Sequence, residues 1–148
     1  MSSARKRVII SACLLGEQCR YDGKTKEVNA VIDAFKDYEI VPFCPEAPLF
    51  GTPRERISVV EVDGQNRIVT DSTQKDVTSL LEDEINSFMQ LHKNIDRIIL
   101  KSKSPSCGYE TTPILNDKNE TLKLGSGIAA SMFEKHYKDV KIESELDF

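Results

Sequence analysis

The chain has 148 residues, with 24 acidic against 20 basic side chains and a formal net charge of −4. That balance argues against a dedicated nucleic-acid binder, which carries a basic excess, and no apolar run approaches the ~18 residues of a membrane span. Small-molecule chemistry in a soluble protein fits better, and residues 1–148 read as one domain large enough to hold a core without disulfide staples.

Arg5-Lys6-Arg7 ahead of an apolar tract that ends at Cys13 has the outline of a lipoprotein leader. The apolar core, 8–12, is shorter than the ~7–15 residues a leader needs, so the tract reads as a strand and the protein is placed in the cytoplasm. In a reducing compartment its four cysteines stay thiols unless something ligates them. Residues 7–13 suit a strand buried on both faces, and 14–23, with Asp22-Gly23, a loop. Asn29 is expected to cap a helix running to about Tyr38 with Val31, Ile32 and Phe35 on one face. A second strand follows at 39–43, and the single intervening helix is what a parallel crossover requires.

Three prolines and a glycine in 44–53 are expected to exclude helix and strand there and leave a stiff loop. Residues 57–62 and 67–69 around Asp63-Gly64 read as a hairpin beside the main sheet. The longest helix is expected over about 74–93, with Val77, Leu80, Leu81, Ile85, Phe88 and Met89 at helical spacing. A third parallel strand at 96–100 leads through Lys101-Ser102-Lys103 and Ser104-Pro105-Ser106 to Cys107-Gly108. Lys101, Lys103 and Arg54 read as a solvated basic face. Residues 109–124 form either a hairpin or an active-site flap.

A last helix starts near Ser126 or Gly127 and carries Ile128, Met132, Phe133 and His136, with a possible fourth strand at 140–142. Gly125-Ser126-Gly127-Ile128-Ala129-Ala130 has dinucleotide-fingerprint spacing but too few residues after it for a βαβ unit, so it reads as a helix start. The expected fold class is α/β: a three-layer, mainly parallel, Rossmann-like sheet with a small β-hairpin insertion.

Cys13, Cys44 and Cys107 each follow a strand. If those strands are neighbours, their carboxyl ends share the edge where open α/β sheets bind ligands, and three thiols converge there. A lone cysteine is ordinarily a small buried hydrophobe. Three at equivalent strand ends, each in a loop bearing proline or glycine, point instead to a metal centre. No Cys-x-x-Cys occurs, so zinc-ribbon and thioredoxin readings lack a local motif. Thiolates select zinc, copper(I) or an iron-sulfur cluster, and His92 and His136 fall in predicted helices away from the loops. Cys19 could be a fourth ligand or a loop thiol, and spacing does not decide.

Ser11-Ala12-Cys13-Leu14-Leu15-Gly16 with Arg20-Tyr21-Asp22-Gly23, then Cys44-Pro45-Glu46, then Leu100-Lys101 with Ser104-Pro105-Ser106-Cys107-Gly108, resemble the signature blocks of the thiouracil desulfidase (TudS-like) family across nearly the whole chain. The resemblance implies a 4Fe-4S cluster held by Cys13, Cys44 and Cys107, with one iron open to sulfur from a thiolated pyrimidine, and leaves Cys19 outside the ligand set. Glu46 and Ser104 match the family's catalytic positions, and Arg20, Tyr21 and Asp22 are expected to contact substrate. Ala47-Pro48-Leu49-Phe50-Gly51 departs from the glycine-rich continuation expected after Glu46, which touches the pocket wall. An open iron is a Lewis acid for substrate, as an open zinc position is. The alternative is a zinc- or cluster-binding structural or sulfur-carrier module linked to RNA thiolation, but no ATP-binding loop accompanies it.

Overall fold

The computed structural model describes residues 6–16, 28–51 and 54–148. In chain order these form β1 (Arg7–Ser11), a 3-10 turn (Ala12–Leu15), α1 (Asn29–Ala34), β2 (Glu39–Phe43), α2 (Glu46–Phe50), β3 (Ile57–Val62) and β4 (Gln65–Thr70). They continue as α3 (Thr78–Leu91), β5 (Arg97–Leu100), β6 (Thr112–Leu115), β7 (Thr121–Gly125), α4 (Ile128–His136), β8 (Ile142–Ser144) and a terminal 3-10 turn (Glu145–Asp147).

The apolar runs of β1 and β5 build a four-stranded, all-parallel sheet in the order β2-β1-β5-β8. Side chains alternate across it, as the two-residue period of a strand demands. Val8, Ile10 and Ile99 pack with Val31 and Phe35 of the α1 region. Ile9, Ile98, Leu100, Val41 and Phe43 face the other way, onto Leu81, Ile85 and Met89 of α3 and Phe133 of α4. Helices on both faces explain why these strands read as continuous apolar runs. Pro42, which cannot donate to a ladder, sits on β2 at the sheet's edge, where proline is tolerated. The expected α/β, mainly parallel layering is present, and β8 supplies the fourth strand two residues later than 140–142.

The hairpin is half of something larger. β3 and β4 pair antiparallel across Asp63-Gly64, both at positive φ (50° and 78°) as a two-residue turn requires. β3 also pairs in parallel with β6, and β6 pairs antiparallel with β7, so a second sheet runs β4-β3-β6-β7. Residues 109–124 therefore include a hairpin. Its Ile114 joins Ile57, Val59 and Ile68 in the core cluster that the first sheet also lines.

Three boundaries differ from expectation. The helix α2 forms inside 44–53 because Pro48 occupies its first turn, where the missing N–H has no intrahelical partner to lose, and Gly51 ends it at φ 77°. Asn29 is the first helical residue, with Val28 at the cap and no side-chain capping bond, and α1 stops at Ala34. The long helix begins at Thr78, four residues late, because Asp76 bridges back to Val69 and the Thr78 hydroxyl accepts the Ile68 N–H at 2.8 Å. Among the described residues, no helix is long and apolar enough to cross a membrane.

Candidate active site

The strand order brings the three cysteine-bearing loops side by side. They leave the carboxyl ends of β2, β1 and β5, which are adjacent, and β1 is where the strand order reverses, the crevice where open α/β sheets bind ligands. Cys13 lies in the 3-10 turn after β1, whose closing residue Gly16 takes φ 95° and donates its N–H to Cys13 O. Cys44 directly follows β2, and the Ala47 N–H in the first turn of α2 donates to its Sγ at 3.5 Å.

Cys107 is held by a longer loop with many anchors. Ser104 Oγ accepts from the N–H groups of Ser106 (3.3 Å) and Cys107 (3.1 Å). The Ser104 carbonyl accepts from Gly108 N and from Thr112 Oγ1. Lys101 N donates to Ser11 Oγ at the end of β1, and the Glu145 carboxylate accepts from both Ser102 N and Ser102 Oγ at 2.7 Å.

The start of α4 closes the loop from behind. Gly127 N donates to Gly108 O and Ala129 N to Ser106 O, each at 2.7 Å. A Cβ on Gly127 would lie 2.6 Å from Pro105 O and 2.6 Å from Ser106 C. Both are backbone atoms that cannot swing aside. Gly127→Ala is expected to displace the Cys107 loop, so that protein loaded anaerobically with iron and sulfide binds markedly less iron than the native chain. Iron content by colorimetric assay, with circular dichroism as a folding control, checks this.

Cys13, Cys44, Cys107, Glu46 and Ser104 all line one cavity of about 300 Å3. Cys19, Arg20, Tyr21 and Asp22 lie outside the described residues. The expected solvated basic face holds for Lys103, which is exposed, but Lys101, Lys103, Arg54 and Arg56 all line this cavity and the Arg54 side chain is only 6% exposed. Its Nε donates to Glu46 Oε1 at 3.4 Å, and its Nη1 donates to Gly51 O at 2.9 Å. Sequence reasoning missed Ser106, which is 1% exposed and donates to Glu46 Oε2 at 2.6 Å. The one signal for it was its place beside Cys107 in Ser-Pro-Ser-Cys.

The donors suit a soft, multi-iron group. Burial pushes the Cys107 thiol up to about 12, with the nearby Cys44 sulfur adding to that and hydrogen bonds from Ser106 and Ser11 opposing it. A cation beside it would favour the thiolate. The hydrogen bonds to the Cys44 and Cys107 sulfurs are of the kind that tune metal-bound thiolates. The thiols share the cavity wall without converging on one point: among the described residues, no three His, Cys, Asp or Glu side chains gather around a single ion position. A cluster offers each thiolate a different iron, so cysteines lining one cavity need not meet at a single ion position to hold it.

A parallel α/β sheet whose three adjacent strand ends each contribute a cysteine to one cavity, with a buried carboxylate among them, has the donor set that thiolate-held metal chemistry uses. The chain belongs to the 2-thiouracil desulfurase family, which matches residues 8–145. The solved structure of the 4Fe-4S-dependent thiouracil desulfidase TudS is similar, with a TM-score of 0.74 at 30% identity over 97% of this chain and 93% of that one. The uncharacterized protein YbbK of Bacillus subtilis (strain 168) is 30% identical over 151 residues, covering 95% of this chain and 97% of YbbK.

Proposed function

We propose that this single-domain chain is a cytoplasmic desulfidase that converts a small thiolated pyrimidine such as 2-thiouracil to its oxo analogue. The carbon loses sulfur and gains the oxygen of water, whose two protons leave with the sulfur as hydrogen sulfide, so no oxidant or reductant is consumed. The observation that carries this reading is the buried Glu46 carboxylate in the same cavity as three cysteines on adjacent strand ends. Cys13, Cys44 and Cys107 are assigned to hold a 4Fe-4S cluster. When bound, it supplies an iron without a protein ligand, a Lewis acid for the thiocarbonyl sulfur.

The remaining steps belong to this chain's side chains. Glu46, oriented by Arg54 on Oε1 and Ser106 on Oε2, takes a proton from the water that attacks the ring carbon. Ser104 Oγ already accepts two backbone N–H bonds, which fills its acceptor capacity and leaves its one proton to give. In the substrate complex it directs that proton as a hydrogen bond to the pyrimidine or the departing sulfur, and Glu46 returns its proton to the sulfur. Arg20, Tyr21 and Asp22 are assigned to substrate contact.

The test is anaerobic reconstitution with iron and sulfide, then incubation with 2-thiouracil without nucleotide or RNA. Uracil and sulfide in equal amounts are expected. A colourless protein with stoichiometric zinc would instead indicate a structural module, and strict dependence on tRNA and ATP a sulfur carrier.

A further inference from the structure

We infer that Ser106 is a positioning residue that links Ser104 to Glu46 and holds the carboxylate in the orientation in which it meets the attacking water. Among the described residues, no hydrogen bond joins Ser104 to Glu46 directly; Ser106 stands between, 3.2 Å from Ser104 Oγ and 2.6 Å from Glu46 Oε2. Because the Ser106 proton goes to Glu46, the Ser104 proton points to Ser106, and the three groups form a chain of one polarity ending at the carboxylate. The residue is 1% exposed, and its backbone is fixed on both sides, its carbonyl accepting Ala129 N–H at 2.7 Å and its N–H donating to Ser104 Oγ. A hydroxyl so held has little freedom except rotation about its own C–O bond.

This inference rests on the desulfidase reading. Ser106 holds Oε2 in a hydrogen bond, so the Glu46 carboxylate keeps one orientation when it takes a proton from water. The same hydroxyl lies 3.7 Å from Cys107 Sγ, the sulfur assigned to the cluster.

Ser106→Ala and Ser106→Thr, made in the reconstituted protein, test this. Ser106→Ala is expected to keep native iron content and thiouracil binding but to lower kcat by about tenfold, less than the ~10² to 10⁴ of losing the acid-base group itself, and Ser106→Thr to restore most of it. Adding Ser106→Ala to Glu46→Gln is expected to cost nothing further, because groups acting as one unit are not additive.

The readout independent of turnover is infrared. The Glu46 carboxylate band, assigned from the difference between native protein and Glu46→Gln, shifts in Ser106→Ala and returns in Ser106→Thr. Additive losses in the double variant, an unmoved carboxylate band, or loss of iron in both Ser106 variants would overturn the inference. If native protein releases no sulfide from thiouracil, the desulfidase reading fails by itself, and the infrared band still decides whether Ser106 governs Glu46.

Discussion

Cys107→Ser is expected to leave a folded, colourless protein that binds essentially no iron after anaerobic reconstitution and releases no sulfide from 2-thiouracil. The side chain is 5% exposed, at the most heavily anchored loop of the site. Serine nearly preserves its shape and can use the same hydroxyl partners, so the fold should survive. The hard alkoxide oxygen is a poor match for the soft metals that thiolates select, and with only three protein thiolates assigned, losing one removes a third of the protein's hold. Cys13→Ser and Cys44→Ser should behave alike, whereas Cys19→Ser should keep its iron. Loss of iron from Cys19→Ser would mean a closed four-cysteine site, and the open-iron reading would fail.

The second large effect is expected at Glu46. In Glu46→Gln the amide oxygen can still accept from Arg54, and the amide N–H can donate to Ser106 Oγ, so both contacts survive and only the one to Ser106 reverses direction. What disappears is a group able to take up and release a proton, which typically contributes about 10² to 10⁴ in rate. The variant should keep the native visible absorption and bind thiouracil while turnover falls by at least about a hundredfold, on that same scale. Near-native turnover would remove Glu46 from the chemistry, and loss of absorption would make it a support for the Cys44 loop.

What could be read from the sequence was local. The apolar runs at 7–13, 39–43 and 96–100 specify strands through side-chain burial alone, and the cysteines following them mark the sheet edge before any contact is known. Asp63-Gly64 likewise fixes its hairpin by backbone preference. The pairing of β3 with β6 was not legible, because it joins residues more than fifty positions apart with no helical crossover pattern to announce it. Prolines suggested an irregular loop at 44–53, but a proline's effect depends on its place in the turn, and Pro48 falls where a helix admits it. Arg54 looked like a surface cation until its carboxylate partner eight residues back was seen to be buried. Ser104 was legible as a site residue, yet Ser106 was hidden beside it, since only the turn geometry decides which hydroxyl reaches Glu46.

The central claim is that three cysteines hold a cluster with one iron left for substrate, and Mössbauer spectroscopy of the isotopically enriched Glu46→Gln protein tests it most directly. Trapping substrate without turnover, this variant should show one iron distinct from the other three, and that iron alone should change when 2-thiouracil is added. Four equivalent irons indifferent to thiouracil would contradict the account.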